Sequence, residues 1–294
     1  MIRIGLIGSQ SMHSLSFAKQ CNLPNDNGEY LIPDCRITAV CAVDDTEEHA
    51  RQTAQSGKIP HIVNEPDELF DKCDAVMVLT RRGSSHVPYA LPFIKRGYPV
   101  FIDKPICLSD EDIAILKSET AKGKCIVAGG SGMKHNSSVK ELKRIIDSGS
   151  LGSIKGISLN HNADINCEYD GIYFYACHGV ETMLSLLGTN PKSVQSCVLD
   201  AKNFTVFFKY EKQFANLIFT VGYNDYFVKI YGEKKNISCR IDPSDIFRQT
   251  LSSFVEQIRS GVPTSSWDDL LSHVYMLRAM EKSINEKCEI KIKG

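Results

Sequence analysis

From residue 2 to about residue 129, short and wholly apolar runs alternate with segments of helical period. The runs are "IRIGLIG" (2–8), "RITAVCAV" (36–43), "AVMVLT" (75–80), "PVFID" (99–103) and "KCIVAG" (124–129). Helical spacing fills 14–21, 46–56, 86–96 and 109–121 between them. The last of these opens with Ser109 as N-cap and with Asp110, Glu111 and Asp112 in its first turn, where acids complement the helix dipole. Strands that are apolar throughout need cover on both faces, and ten-residue helices between them imply parallel pairing. The pattern predicts an α/β fold whose first part, residues 1–125, is a Rossmann domain with a doubly wound parallel sheet.

The rhythm changes after residue 130. A helix over 136–148 ends at Ser148-Gly149. Longer alternating runs follow: "SIKGISLNHNAD" (153–164), "KSVQSCVLD" (192–200), "FTVFFKY" (204–210), "QFANLIFTVG" (213–222) and "YFVKIYGEKKNISCRI" (226–241). Alternation gives each strand one apolar face, so an open, mainly antiparallel sheet is predicted. Helices at 244–260 and 267–285 and a last strand at 288–293 complete a second α/β domain, residues 126–294, expected to bind substrate and to carry oligomer contacts. Apolar side chains on an open sheet are economically buried between subunits, so a homodimer or homotetramer is expected.

Composition narrows the partners. The 294 residues suit two domains, and 43% hydrophobic with 23% charged residues is ordinary for a packed core. A net charge of −1 offers no basic field for nucleic acid or an anionic membrane. No apolar run approaches the roughly 20 residues that span a bilayer, and Met1–Gly5 does not have the form of a signal peptide. The eleven cysteines include no Cys-x-x-Cys pair. Cys41, Cys73 and Cys125 sit in strand-like runs, which reads as buried, reduced thiols and a cytoplasmic protein.

The first strand enters a turn, Gly8-Ser9-Gln10-Ser11-Met12-His13, where a dinucleotide fold holds pyrophosphate on a helix N-terminus. Gly8 suits the tight turn. Gln10 and His13 stand where glycines are usual. The second strand ends at Asp44-Asp45 after the insertion 22–34. Asp44 is the candidate for adenosine ribose hydroxyls, and Asp45 reads as a helix N-cap. No arginine follows directly, which favours NAD and leaves NADP open.

The stretch "HVPYALPFIKRGYPVFIDKPICLS" (86–109) ends an apolar strand with Asp103-Lys104-Pro105. A second stretch, "GIYFYACHGVETMLSLLG" (171–188), sets His178 four residues after Phe174 and ahead of Glu181. The ending "FVEQIRSGVPTSSWDDLLSHVYMLRAMEKSINEKCEIKI" (254–292) is a helix, S-G-x-P, a second helix and a strand. On these stretches the chain resembles the glucose–fructose oxidoreductase/inositol dehydrogenase/rhizopine catabolism family, Gfo/Idh/MocA. Asp103 replaces the family's usual glutamate, and Phe174 replaces an aspartate of its D-x-G-x-H-x-x-D motif.

The resemblance implies an NAD(P)-dependent oxidoreductase that moves a hydride between nicotinamide and a sugar, inositol or related polyol. It places Lys104 beside the reacting carbon and makes His178 the proton carrier, a role suited to an imidazole. Gly8, Ser9, Gln10, Ser11, Met12, His13, Asp44, Thr80, Arg81, His86, Asp103 and Lys104 then fall on the cofactor side. His161, Asn162, Asp164, Tyr175 and Glu181 are the substrate candidates. No metal site is expected, because the histidines are scattered. Two other activities keep the same fold: a non-catalytic nucleotide or sugar sensor, which Gln10, His13 and Phe174 favour, and an NAD-dependent glycosidase.

Overall fold

The computed structural model describes residues 1–43, 47–122, 125–222 and 225–292. In chain order it runs β1 (Ile2–Ile7), α1 (Met12–Asn22), β2 (Cys35–Cys41), α2 (Glu47–Gly57), β3 (His61–Val63), β4 (Ala75–Val78), α3 (His86–Lys95), β5 (Val100–Ile102), α4 (Asp110–Lys122) and β6 (Val127–Gly129). It continues with α5 (Ser137–Asp147), β7 (Ile154–His161), α6 (Tyr173–Leu187), β8 (Ser193–Asp200), β9 (Asn203–Lys209), β10 (Phe214–Thr220), β11 (Tyr226–Gly232) and β12 (Asn236–Ile241). The last elements are α7 (Ile246–Ser260), α8 (Trp267–Glu286) and β13 (Ile290–Lys291). Two compact units result: Met1–Gly130 with Phe247–Leu270, and Ser131–Ile246 with Leu271–Gly294.

The first unit carries a six-stranded sheet of order β3-β2-β1-β4-β5-β6, and every neighbouring pair is parallel. This is the doubly wound order, with its reversal between β1 and β4. The five expected strands form. The edge strand β3 leaves no signal in the sequence pattern, because its three residues include exposed His61 and Ile62 and make no apolar run. Asp44 and Asp45 lie outside the described residues.

The sequence-based boundary at 125/126 differs from the observed division. Helix α7 joins the first unit because its Leu251, Phe254, Val255 and Ile258 recur at helical spacing and pack into that core. There they meet Ile4 and Leu6 of β1, Ile37 of β2 and Phe101 of β5. The Phe101 and Phe254 ring centroids are 5.8 Å apart.

The second unit has a seven-stranded sheet of order β12-β11-β7-β10-β9-β8-β13. Strands β7 and β10 pair in parallel, and the other neighbours are antiparallel. The run 226–241, expected as one strand, is a hairpin. It turns after Gly232 through the charged residues Glu233, Lys234 and Lys235. Helix α6 covers the sheet's inner face, and Gly179 brings it close: a Cβ there would meet Phe219 at 3.2 Å.

Among the described residues no helix is long and apolar enough to cross a membrane. All eleven cysteines are free thiols, six of them buried. Cys125 is only partly buried, and Cys197 and Cys288 are exposed.

Candidate active site

In the first unit, the carboxyl ends of β1, β4 and β5 bring together three stretches that are far apart in sequence. After β1, Gly8 takes φ +96°, and its N–H donates to Cys41 O at 3.0 Å. A Cβ there would meet Thr80 N at 2.9 Å, so glycine is needed both for the backbone turn and for the approach of β4. Ser14 Oγ donates to Gly8 O at 2.7 Å and braces the turn. Ser11 caps α1 by accepting from the His13 N–H at 3.2 Å. Ser9 is buried, while Gln10 and Met12 are exposed.

His13 has turned to the sheet end. Its Nδ1 lies 2.7 Å from Asp103 Oδ2, and its ring packs edge-on to Phe247 at 5.1 Å. Burial pushes the Asp103 carboxyl up, but the His13 charge and hydrogen bond, with Lys104 and His86, outweigh it and hold it below the usual carboxylate range. The two departures from the expected motif, His13 for glycine and Asp103 for glutamate, therefore meet in one pair.

Lys104 follows directly and is 4% exposed, and the Lys104–Pro105 bond is cis. His86, expected on the cofactor side, is instead fully buried. Its Nδ1 lies 2.7 Å from Pro105 O and its Nε2 2.8 Å from Thr80 O, so it ties the end of β4 to the Lys104 loop. Burial holds its pKa below the ordinary histidine range, against the pull of both carbonyls and of Asp103. Thr80 Oγ1 and Ser85 Oγ are 2.7 Å apart, and Arg81 is half-buried. Gly83 is absent from the sequence candidates, yet a Cβ there would meet Pro105 Cγ at 2.5 Å. A glycine shortly after a parallel strand is the signal that could have found it.

In the second unit, α6 presents His178, which is 9% exposed. Ser131 Oγ lies 2.7 Å from its Nδ1. On another side His178 meets His161 of β7, with ring centroids 5.3 Å apart, and His161 stacks on Tyr226 at 4.2 Å. Tyr175, 39% exposed, stands 6.1 Å from the His178 ring. Burial raises the Tyr226 phenol above its usual range, with Tyr175 adding to the shift. His161 Nδ1 lies 3.2 Å from Asn162 O and donates to it.

Asn162 Oδ1 is buried with no hydrogen-bond partner. Asp164 accepts from the Asn166 N–H at 2.8 Å, a local turn contact. Phe174 is buried against Tyr169 and Tyr175, with ring centroids at 5.1 and 4.6 Å, and offers no acceptor.

Glu181, expected among the substrate contacts, is 5% exposed and turned inward. Its Oε1 accepts from the Ser131 N–H at 2.6 Å, and its carboxylate also meets Lys134 and His273, each at 3.4 Å. Ser131, Lys134, Tyr226 and His273 had no signal in the linear pattern. They reach this cluster only through tertiary folding. Among the described residues no group of three or more His, Cys, Asp or Glu is arranged to hold a metal ion.

Residues 2–131 match the family described as oxidoreductase family, NAD-binding Rossmann fold, GFO_IDH_MocA. Inositol 2-dehydrogenase of Ralstonia nicotianae is 32% identical over 120 residues, 40% of this chain and 35% of that protein. The aligned stretch spans 26% of the inositol 2-dehydrogenase of Gluconacetobacter diazotrophicus and 56% of that of Salmonella paratyphi B. Among solved structures, myo-inositol 2-dehydrogenase from Lactobacillus plantarum superposes with a TM-score of 0.84 at 16% identity, over 99% of both chains. Scyllo-inositol dehydrogenase from Lactobacillus casei, solved with NAD(H) and scyllo-inositol, gives 0.82 at 14% identity, again over 99% of both chains. At these identities the structural likeness establishes the fold.

Proposed function

We propose that this chain, whose residues 2–131 match the Gfo/Idh/MocA oxidoreductase family, is an NAD-dependent dehydrogenase acting on CH–OH groups of an inositol or related polyol. The observation that carries the reading is Lys104, a lysine 4% exposed at the carboxyl end of a parallel strand, where open α/β sheets bind their ligands. A lysine held there suits a developing oxyanion better than a solvated surface role.

The turn after β1 fits a dinucleotide. Gly8 keeps the backbone close to β4, and the N-terminus of α1 follows as a site for pyrophosphate. Gln10 is exposed and His13 is drawn to Asp103, so the two replaced glycines leave that approach in place. Asp44 is assigned to the ribose hydroxyls. NAD, when bound, supplies the hydride acceptor.

The protein's residues manage the rest. Lys104 stabilises the alkoxide as the hydroxyl loses its proton. His178 takes that proton. His161, Asn162 and Tyr175 orient the polyol, and Asn162 Oδ1, a buried acceptor without a donor, suits a substrate hydroxyl. Eleven free thiols support a cytoplasmic setting, and the apolar outer face of the second sheet supports a homo-oligomer.

Calorimetric titration with NAD and with NADP, followed by a screen of inositols and sugar alcohols for absorbance of reduced nicotinamide, tests the reading. Binding of NAD with turnover of a cyclic polyol is expected. Failure to bind either dinucleotide at millimolar concentration would overturn it in favour of a sensor.

A further inference from the structure

We propose that Ser131 is the positioning residue for His178, and that its hydroxyl fixes the neutral imidazole with its proton on Nε2. Only the consequence for turnover rests on His178 being the proton carrier. The tautomer itself follows from the hydrogen bonds.

Ser131 is fully buried and held from two sides. Its N–H donates to Glu181 Oε1 at 2.6 Å, and Glu181 is steadied by Lys134 and His273. Its Oγ accepts from the Met133 N–H at 3.1 Å. The hydroxyl has one proton left to give. Among the described residues, the acceptor within reach is His178 Nδ1 at 2.7 Å. A buried hydroxyl proton without an acceptor is costly, so the proton points to Nδ1. Nδ1 is then an acceptor, and the neutral ring carries its own proton on Nε2.

A carboxylate has the opposite effect. It accepts only, so it demands a proton on Nδ1 and leaves the Nε2 lone pair for a substrate. Phe174, one turn before His178 on α6, has no such group. With Ser131 in that role, accepting a substrate proton on Nε2 first requires the ring proton to move to Nδ1 and the serine hydroxyl to give up its bond. Alcohol oxidation therefore carries an added step that a carboxylate partner removes. The titratable groups around this network include His161 on β7, Tyr175 and Glu181 on α6, Lys134 before α5, Tyr226 on β11 and His273 on α8.

Long-range ¹H–¹⁵N NMR of the ¹⁵N-histidine-labelled full chain reads the tautomer directly, with His178→Asn assigning the resonance. Above the ring's titration, the wild-type spectrum should show Nε2 protonated and Nδ1 bare. Ser131→Ala, which places no charge in the interior, should give mixed tautomers. Ser131→Asp should invert the tautomer and raise the ring's titration midpoint by about one unit or more, a tenfold or larger change in its acid constant. The acid limb of the kcat–pH profile for polyol oxidation should move with it. A wild-type ring protonated on Nδ1, or a spectrum that Ser131→Ala leaves unchanged, overturns the proposal. If the tautomers behave as expected but His178→Asn turns over normally, Ser131 keeps its role and the reading of His178 as proton carrier fails.

Discussion

Lys104 and His178 are candidates because each sits in a dense local pattern: an acid-lysine-proline step ending an apolar strand, and a histidine on an apolar helix. If both act on the reacting bond, their loss should be felt in turnover and not in cofactor binding. Lys104→Met keeps the length of the side chain, and kcat is expected to fall by at least about 10²-fold with calorimetric NAD affinity nearly unchanged. His178→Asn should cost about 10²–10⁴-fold in kcat, the usual range for a lost general acid–base. Near-normal turnover in either variant would remove that residue from the chemistry.

Pattern reading does not give the contacts of residues whose partners arrive through folding. Ser131 lies 47 positions before His178. Glu181 has the spacing of a ligand-facing acid but is turned inward by Ser131, Lys134 and His273. His86 has a motif position but serves as a strut between Thr80 and Pro105. The His13–Asp103 pair gives a pH signature with a definite sign. Asp103 has a folded-state pKa below its unfolded value, so its stabilisation is complete above the ordinary carboxylate range and is lost as pH falls through the lowered value. His13→Ala should lower stability at neutral pH by about 1.5–3 kcal/mol, the worth of a hydrogen bond to a charged group. The gap in Tm between wild type and variant should narrow steadily in acid, and a gap independent of pH would show that the loss is one of packing alone.

At the level of elements, runs such as "AVMVLT" mark central strands because both of their faces are buried, and Val76, Met77 and Val78 are fully enclosed. Short or polar elements escape the same logic, as edge strand β3 and the β11–β12 turn show. The sequence pattern marks α7 as a helix, but its apolar stripe does not say which core it enters. Its role is open to measurement. Phe254 is 1% exposed within the first unit's core, so Phe254→Ala should cost about 3–5 kcal/mol. In a denaturation monitored by dinucleotide binding, the midpoint should fall accordingly, and a loss below 1 kcal/mol would mean that α7 is peripheral. Gly8→Ala tests the turn after β1. It combines a strained positive φ with a Cβ 2.9 Å from Thr80 N, and the strain alone is worth about 1–3 kcal/mol. NAD affinity should fall more steeply than in Gln10→Ala, whose side chain is exposed.

On the scale of the whole molecule, two α/β units could be read from the change in rhythm near residue 130, but not the return of 247–270 to the first. What remains is the outer face of the second sheet. Phe207 and Phe227 are each 43% exposed and Ile218 is 40% exposed, while their neighbours Phe208, Val228 and Phe219 are buried on the inner face. Three outer aromatics form a continuous patch: Phe207 stacks on Phe214 at 5.7 Å, and Phe214 meets Tyr231 at the same distance. A monomer has no use for an aromatic patch in water, and an isologous contact with a second copy would bury it. Light scattering at micromolar concentration should therefore return the mass of a dimer or tetramer. Phe207→Glu and Ile218→Glu place charge on that face without touching the core, so they should yield a folded monomer with unchanged helical signal. A wild-type mass of one chain, or a double variant that stays associated, would exclude this face as the contact.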